Sequence, residues 1–180
     1  AFFHDSAAAL IVDGKIVAAA QEERFSRKKH DASFPEHSIN FCLNVNDTAA
    51  ENLDAIVFYE KPLLHLDRLI ETQLAMVPNG FKSFRAGMHT WLGEKLGIEL
   101  TIRKNLGVKK VPVLFSEHHE AHMASAFFPS PFNNAAILTV DAVGEWATTM
   151  IGSGEISKIA PYSTASLANT VGECSSSSSP

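Results

Sequence analysis

A chain of 180 residues is long enough for one compact domain, which buries roughly 70% of the surface its unfolded form exposes. Its 46% hydrophobic and 19% charged residues suit a soluble globular protein and exclude a disordered or fibrous one. The formal net charge of −5 disfavours a sequence-independent nucleic-acid binder, because such proteins displace counterions from phosphates with a positive surface.

Ala1 to Phe3 read as the tail of an earlier strand, so a chain that opens there without an initiator methionine is expected to have been trimmed. His4-Asp5-Ser6 then forms a turn into the apolar run Ala7 to Val12. That run is stopped by Asp13, far short of the roughly 20 residues a bilayer requires. Asp13-Gly14 separates it from a second run, Lys15 to Ala20, and Asp-Gly between two strand-like runs predicts a hairpin whose turn needs positive φ at both central positions. From Gln21 to Ser33 the chain is polar and charged and reads as an exposed or ligand-facing loop. Pro35 suits the first turn of a helix running to about Asn44. A strand at about Ala55 to Tyr59 follows, and then two or three helices between Leu63 and Leu106, read as a helical insertion. The next elements are a strand at Val111 to Phe115, a helix at His118 to Phe128, and strands at Ala135 to Val140 and Ala147 to Ile151. Strands alternating with helices after an opening hairpin predict an α/β fold with a mixed sheet. Beyond Gly154 the pattern fades, and residues 155–180, ending in the serine run Ser175 to Ser179, read as a divergent or flexible tail. Cys42 and Cys174 lie in unrelated contexts, so neither a disulfide framework nor a thiolate zinc site is indicated, and a cytoplasmic location suits the chain.

The sharpest chemical feature is His118-His119-Glu120-Ala121-His122 at the start of a predicted helix. Residues four apart share a helix face, so His118 and His122 can hold one metal while His119 points elsewhere. Asp141, at the carboxyl end of the strand Ala135 to Val140, is the natural third donor. Two imidazoles and one carboxylate suit divalent iron or a similar metal. The spacing is equally compatible with a histidine pair making ordinary hydrogen bonds. Glu120 does not stand where a His-Glu-x-x-His protease keeps its base, so peptide hydrolysis is not indicated. Asp141 to Glu145, with Gly144 in the turn, could set backbone donors against phosphate or be a plain hairpin. His4-Asp5-Ser6 could present an imidazole, backbone donors and a hydroxyl to a ligand, or be only a turn. The basic loop Arg24 to His30, with Arg24 and Lys28, could take a nucleotide phosphate or be a solvated face. His30, His37, His65 and His89 have no partner that the sequence identifies.

Three stretches in the same order resemble the O-carbamoyltransferases of nodulation and antibiotic biosynthesis. They are His4 to Ala9, Ala19 to Lys29, and His118 to His122 continued through Ser125 to Phe132 and Leu138 to Trp146. The likeness runs from Ala1 to about Gly152, although family members usually carry glycine where Ala142 stands. The resemblance implies an actin-like ATPase (ribonuclease H-like) fold, similar to the tRNA threonylcarbamoylation enzyme, with residues 1–154 as the N-terminal half of the carbamoyltransferase domain. It implies that a carbamoyl group passes from carbamoyl-adenylate, made from carbamoyl phosphate and ATP, to the hydroxyl of a sugar or antibiotic-like acceptor. It also implies divalent metal on His118, His122 and Asp141, with His4 near the acceptor hydroxyl, while Asp5, Ser6, Arg24, Lys28 and Gly144 are the nucleotide-contact candidates that the turns and the basic loop offer. Family members are far longer, so the chain is expected to be a front fragment, inactive in isolation, with a second copy of itself among the candidate partners. The alternative is a non-catalytic nucleotide-binding or partner-binding module of the same fold.

Overall fold

The computed structural model describes residues 1–2, 4–76, 97–141 and 147–165. In chain order the elements are β1 (Ala7–Val12), β2 (Lys15–Gln21), α1 (Glu23–Ser26), α2 (Glu36–Val45), a 3-10 turn at Ala50–Asn52 and β3 (Ile56–Phe58). There follow α3 (Pro62–Met76), α4 (Ile98–Leu106), β4 (Val113–Phe115), α5 (His118–Phe127), β5 (Asn134–Val140), β6 (Thr149–Glu155) and β7 (Lys158–Ala165). The expected single mixed sheet is replaced by three small ones among the described residues: β1-β2, β3-β4 and β5-β6-β7. Pairing follows the connections. Tight turns close β1 on β2 and β6 on β7 as antiparallel neighbours. In contrast, β3 and β4 meet across the intervening helices, with Ile56 N–H on the Pro112 carbonyl and Ser116 N–H on the Phe58 carbonyl, both 2.9 Å, in the same sense of chain direction.

Two compact units divide the chain, Ala1–Ile56 with Glu99–Pro112, and Val57–Ile98 with Val113–Pro180. In the first unit the hairpin forms at the predicted turn, where Asp13 (φ 50°) and Gly14 (φ 75°) both adopt positive φ. A bulge follows, since Leu10 faces Ala18 while Ile11 faces Ile16. Leu10 and Ala18 bury themselves against Cys42 of α2, with Ala8, Val12 and Leu53 at the margin. The stretch after β2 is largely exposed, as its polarity suggests, with the short helix α1 inside it and two carboxylates as exceptions. Glu22 and Asp31 are buried within it, because each carboxylate gathers donors from neighbouring backbone and hydroxyl groups. The Asp31 carboxyl accepts from the Ser33 and Ser26 hydroxyls and the Ser33 N–H, which hold it at a pKa of about 2.

In the second unit β5 sits between its connection to α5 and β6, with Val140 opposite Thr149 and Asn134 opposite Glu155. Inward residues alternate along β5 as Ala135, Ile137 and Thr139, and α5 covers this face with Met123 and Phe127. Close approach needs Gly152 and Gly154 on β6: a Cβ there would collide with the Met123 side chain and the Phe127 ring. The tail expected after Gly154 is corrected up to Ala165. Lys158–Ala165 forms β7, because a two-residue turn returns the chain into register, Glu155 opposite Lys158. Ile156 in that turn has φ 49° although it is β-branched and 74% exposed. Left-handed backbone strains such a residue, so Ile156→Asn or Ile156→Gly is expected to stabilise the chain by about 1 kcal/mol, read as a higher urea midpoint. An unchanged or lower midpoint would show that the turn carries no strain.

Candidate metal centre

Three donors converge where two strands end. β4 runs out at Phe115 and, two residues on, α5 starts at His118 behind the extended Glu117. A residue four further on, His122, lies above His118 on the same face, with ring centroids 4.7 Å apart and planes at 88°. Asp141 directly follows β5, and its N–H bonds the Thr148 carbonyl at 2.9 Å, which ties down the strand end. The Asp141 carboxylate then brings one oxygen, Oδ2, to 2.8 Å from His118 Nε2 and 3.1 Å from His122 Nε2. The two Nε2 atoms are themselves 3.1 Å apart.

This triangle of ligand atoms allows a test of what ion suits it. Donors about 2.1 Å from a metal stand about 3.0 Å apart on an octahedron's face and about 3.4 Å apart on a tetrahedron. Edges of 2.8, 3.1 and 3.1 Å are short enough in either arrangement for one ion to touch all three donors. Among the described residues this is the one group of three or more His, Cys, Asp or Glu side chains with ligand atoms so gathered. Two imidazole nitrogens and one carboxylate oxygen are donors that a divalent ion accepts. Exposure rises from His118 (17%) through Asp141 (33%) to His122 (48%), so the triangle has an open side for further ligands.

Around His118 the wall is aromatic and charged. The Tyr59 ring, which follows β3, lies 5.9 Å from the His118 ring, and its phenol is pushed up to about 12 by burial and then by the charge of Glu60. Lys61 Nζ donates to Glu117 Oε1 at 2.7 Å, next in sequence to His118.

His4 and Asp5 stand in the first unit, where the structure gives them a partner the sequence did not identify. Asp5, at φ 51°, accepts from His4 Nδ1 at 2.8 Å and His30 Nδ1 at 3.0 Å, and the hydrogen bonds from His30 and then His4 hold its carboxyl below the ordinary range. A carboxylate on Nδ1–H places the imidazole lone pair on Nε2, the form a base requires. Ser6 is fully buried, and its hydroxyl donates to the Ser33 carbonyl at 2.6 Å. Arg24 and Lys28 are exposed, 3.8 Å from Glu23 and Asp31 respectively. Gly144, Ala142 and His89 lie outside the described residues. Of the other histidines left without partners, His37 bonds Glu22 and His65 lies 3.4 Å from Arg68. His37 and Glu22 stand 15 residues apart, so no spacing signal could have joined them, whereas His65 and Arg68 lie one turn apart on α3 at a spacing that could have.

Comparison with known proteins follows the same residues. Residues 1–178 match the family model described as carbamoyltransferase N-terminus. The likeness thus extends well past Gly152, where the motifs alone had ended it. An uncharacterized protein of Synechocystis, sll1178, is 54% identical over 169 residues, covering 90% of this chain and 28% of the relative. The nodulation protein NolNO of Sinorhizobium fredii is 32% identical over 167 residues, covering 91% of this chain and 23% of the relative. The chain therefore spans about a quarter of the length of these relatives.

Proposed function

This chain belongs to the carbamoyltransferase N-terminus family, and from that premise we propose that it serves O-carbamoyl transfer from carbamoyl-adenylate to the hydroxyl of a small-molecule acceptor. Carbamoyl phosphate and ATP supply the adenylate, and the acceptor is a sugar or antibiotic-like compound. The order of hairpin, strands and helices is compatible with an actin-like scaffold for this chemistry. Among the described residues no helix is long and apolar enough to cross a membrane. We place the reaction in the cytoplasm on the cysteine usage, which indicates no disulfide framework.

One observation carries the reading beyond the family: the ligand atoms of His118, His122 and Asp141 gather at the ends of β4 and β5. An ion held there, divalent iron in the first place, would act as a Lewis acid on carbamoyl or phosphoryl oxygens. The chain's own residues orient it, since the helix and the strand end fix three ligands and leave the solvent side open. His4, with its Nδ1 on Asp5, is assigned the proton of the acceptor hydroxyl. Arg24 and Lys28 are assigned to phosphate oxygens, on their charge and exposure.

The test has two arms. Metal content of the purified chain is compared with that of His118→Ala and His122→Ala, where near-stoichiometric ion in the parent and loss in both variants are expected. Carbamoyl transfer is then followed within a chain of the relatives' full length, where either substitution is expected to lower the rate at least about 100-fold. Equal metal in all three proteins sinks the metal centre. Undiminished transfer in both variants sinks its role in the reaction, and nucleotide binding indifferent to metal would favour a non-catalytic module.

A further inference from the structure

His119 is a buried polar side chain that the reaction as proposed does not use. It occupies the position on α5 from which Met123 and Phe127 continue at four-residue steps, and both of those are apolar and packed on the sheet. An imidazole in this row is 3% exposed and would be costly without partners. Both ring nitrogens are engaged: Nδ1 lies 2.8 Å from the Thr139 hydroxyl and Nε2 lies 2.7 Å from the Ala147 carbonyl. A carbonyl only accepts, so Nε2 carries the proton and Nδ1 accepts from Thr139. The other acceptor open to that hydroxyl, the Met150 carbonyl, is further away at 3.4 Å.

We propose that His119 and Thr139 form a positioning clasp for the metal centre, an inference that rests on the metal reading of His118, His122 and Asp141. Thr139 lies next to the end of β5 and Asp141 just past it, and both side chains meet α5, Thr139 at His119 and Asp141 at His118 and His122. Ala147 stands on the other side of the connection that begins after Asp141, and the bond from Asp141 N–H to the Thr148 carbonyl closes its base. One imidazole on α5 thereby bonds the chain on both sides of the carboxylate ligand, at Thr139 before it and at Ala147 after it. The same helical turn carries His118 and, one turn on, His122. Apolar contacts such as those of Met123 hold helix to sheet without fixing an angle, since they are non-directional. Two short hydrogen bonds do fix one, and that sets the separation of Asp141 Oδ2 from the two Nε2 atoms.

Cobalt(II) is the probe, because its visible ligand-field bands report the geometry of its donors. In the full chain, Thr139→Val removes the hydroxyl at constant shape and Thr139→Ser keeps it, while His119→Gln retains a donor towards Ala147. Thermal midpoints are recorded beside cobalt affinity and spectrum. Thr139→Val and His119→Gln are expected to bind cobalt about 10-fold more weakly with shifted bands, and Thr139→Ser to behave as the parent. Parent-like affinity and bands in Thr139→Val, whatever its thermal midpoint, overturn the clasp while leaving the metal centre standing. Equal weakening in Thr139→Val and Thr139→Ser overturns it too, because the hydroxyl would not be the cause. Failure of the parent chain to take up cobalt removes the metal reading itself, and the clasp with it.

Discussion

Asp141→Ala is expected to weaken divalent-metal binding on the order of 10³-fold, about 4 kcal/mol, more than loss of either imidazole. The reason lies in the donor triangle. Asp141 Oδ2 is the vertex shared with both His118 Nε2 (2.8 Å) and His122 Nε2 (3.1 Å), and it brings the only negative charge among the three donors. Without it two uncharged nitrogens face the ion from one helix, and nothing holds the opposite edge. Asp141→Asn keeps an oxygen at the vertex but removes the charge, so an intermediate loss of about 100-fold is expected. The carboxylate is one-third exposed, so neither change should unfold the chain. Cobalt or iron titration of the folded variants checks this, and affinities within about 3-fold of the parent would remove Asp141 from the ligand set.

Glu22→Ala is expected to cost about 3 kcal/mol of stability, the largest single loss on the first unit. α2 begins at Glu36 behind Pro35 without any side-chain cap of its own. Its cap comes instead from Glu22, whose Oε2 accepts from Ser38 N–H (2.9 Å) and the Ser38 hydroxyl (2.8 Å), and whose Oε1 accepts from His37 N–H (3.1 Å) and Nδ1 (2.6 Å). Removing the carboxylate leaves those first-turn donors, one a fully buried hydroxyl, without their partner. The readout is a lower urea midpoint at unchanged slope, and a loss under about 1 kcal/mol would show that water replaces the cap.

The same contact carries a pH dependence. Burial pushes the Glu22 carboxyl up, but the hydrogen bonds from Ser38 and His37 together outweigh it and hold it below the ordinary 4.5. Its stabilisation is therefore present above that value and is lost as pH falls through the lowered one. The hydrogen bond to Glu22 and then its charge raise the His37 imidazole above the ordinary 6.5. That contribution is complete below 6.5 and disappears as pH rises through the raised value. The pair is thus strongest between about 4.5 and 6.5, and the stability advantage of the parent over His37→Gln should shrink from pH 6 to pH 9. A constant difference over that range would show that the His37 charge contributes nothing.

Local patterns made much of this chain legible before any coordinates. Asp13-Gly14 specified a hairpin because few residues accept positive φ twice in succession. The four-residue step from His118 to His122 specified a shared face because a helix turns every 3.6 residues, and Asp141 stood out because it closes an apolar strand. Motif order alone pointed to the family that the match over residues 1–178 establishes. What the tertiary structure decided was which polar groups meet. It turned Glu22 inward to cap a helix that starts at Glu36, committed the Ser6 hydroxyl to Ser33, set His30 beside Asp5, returned β7 onto β6, and engaged both nitrogens of His119. Periodicity and turn chemistry follow from a residue's immediate neighbours along the chain. The partner of a buried hydrogen-bonding group is settled only once the chain has closed, because burial without a partner is costly and the available donors and acceptors lie far away in sequence.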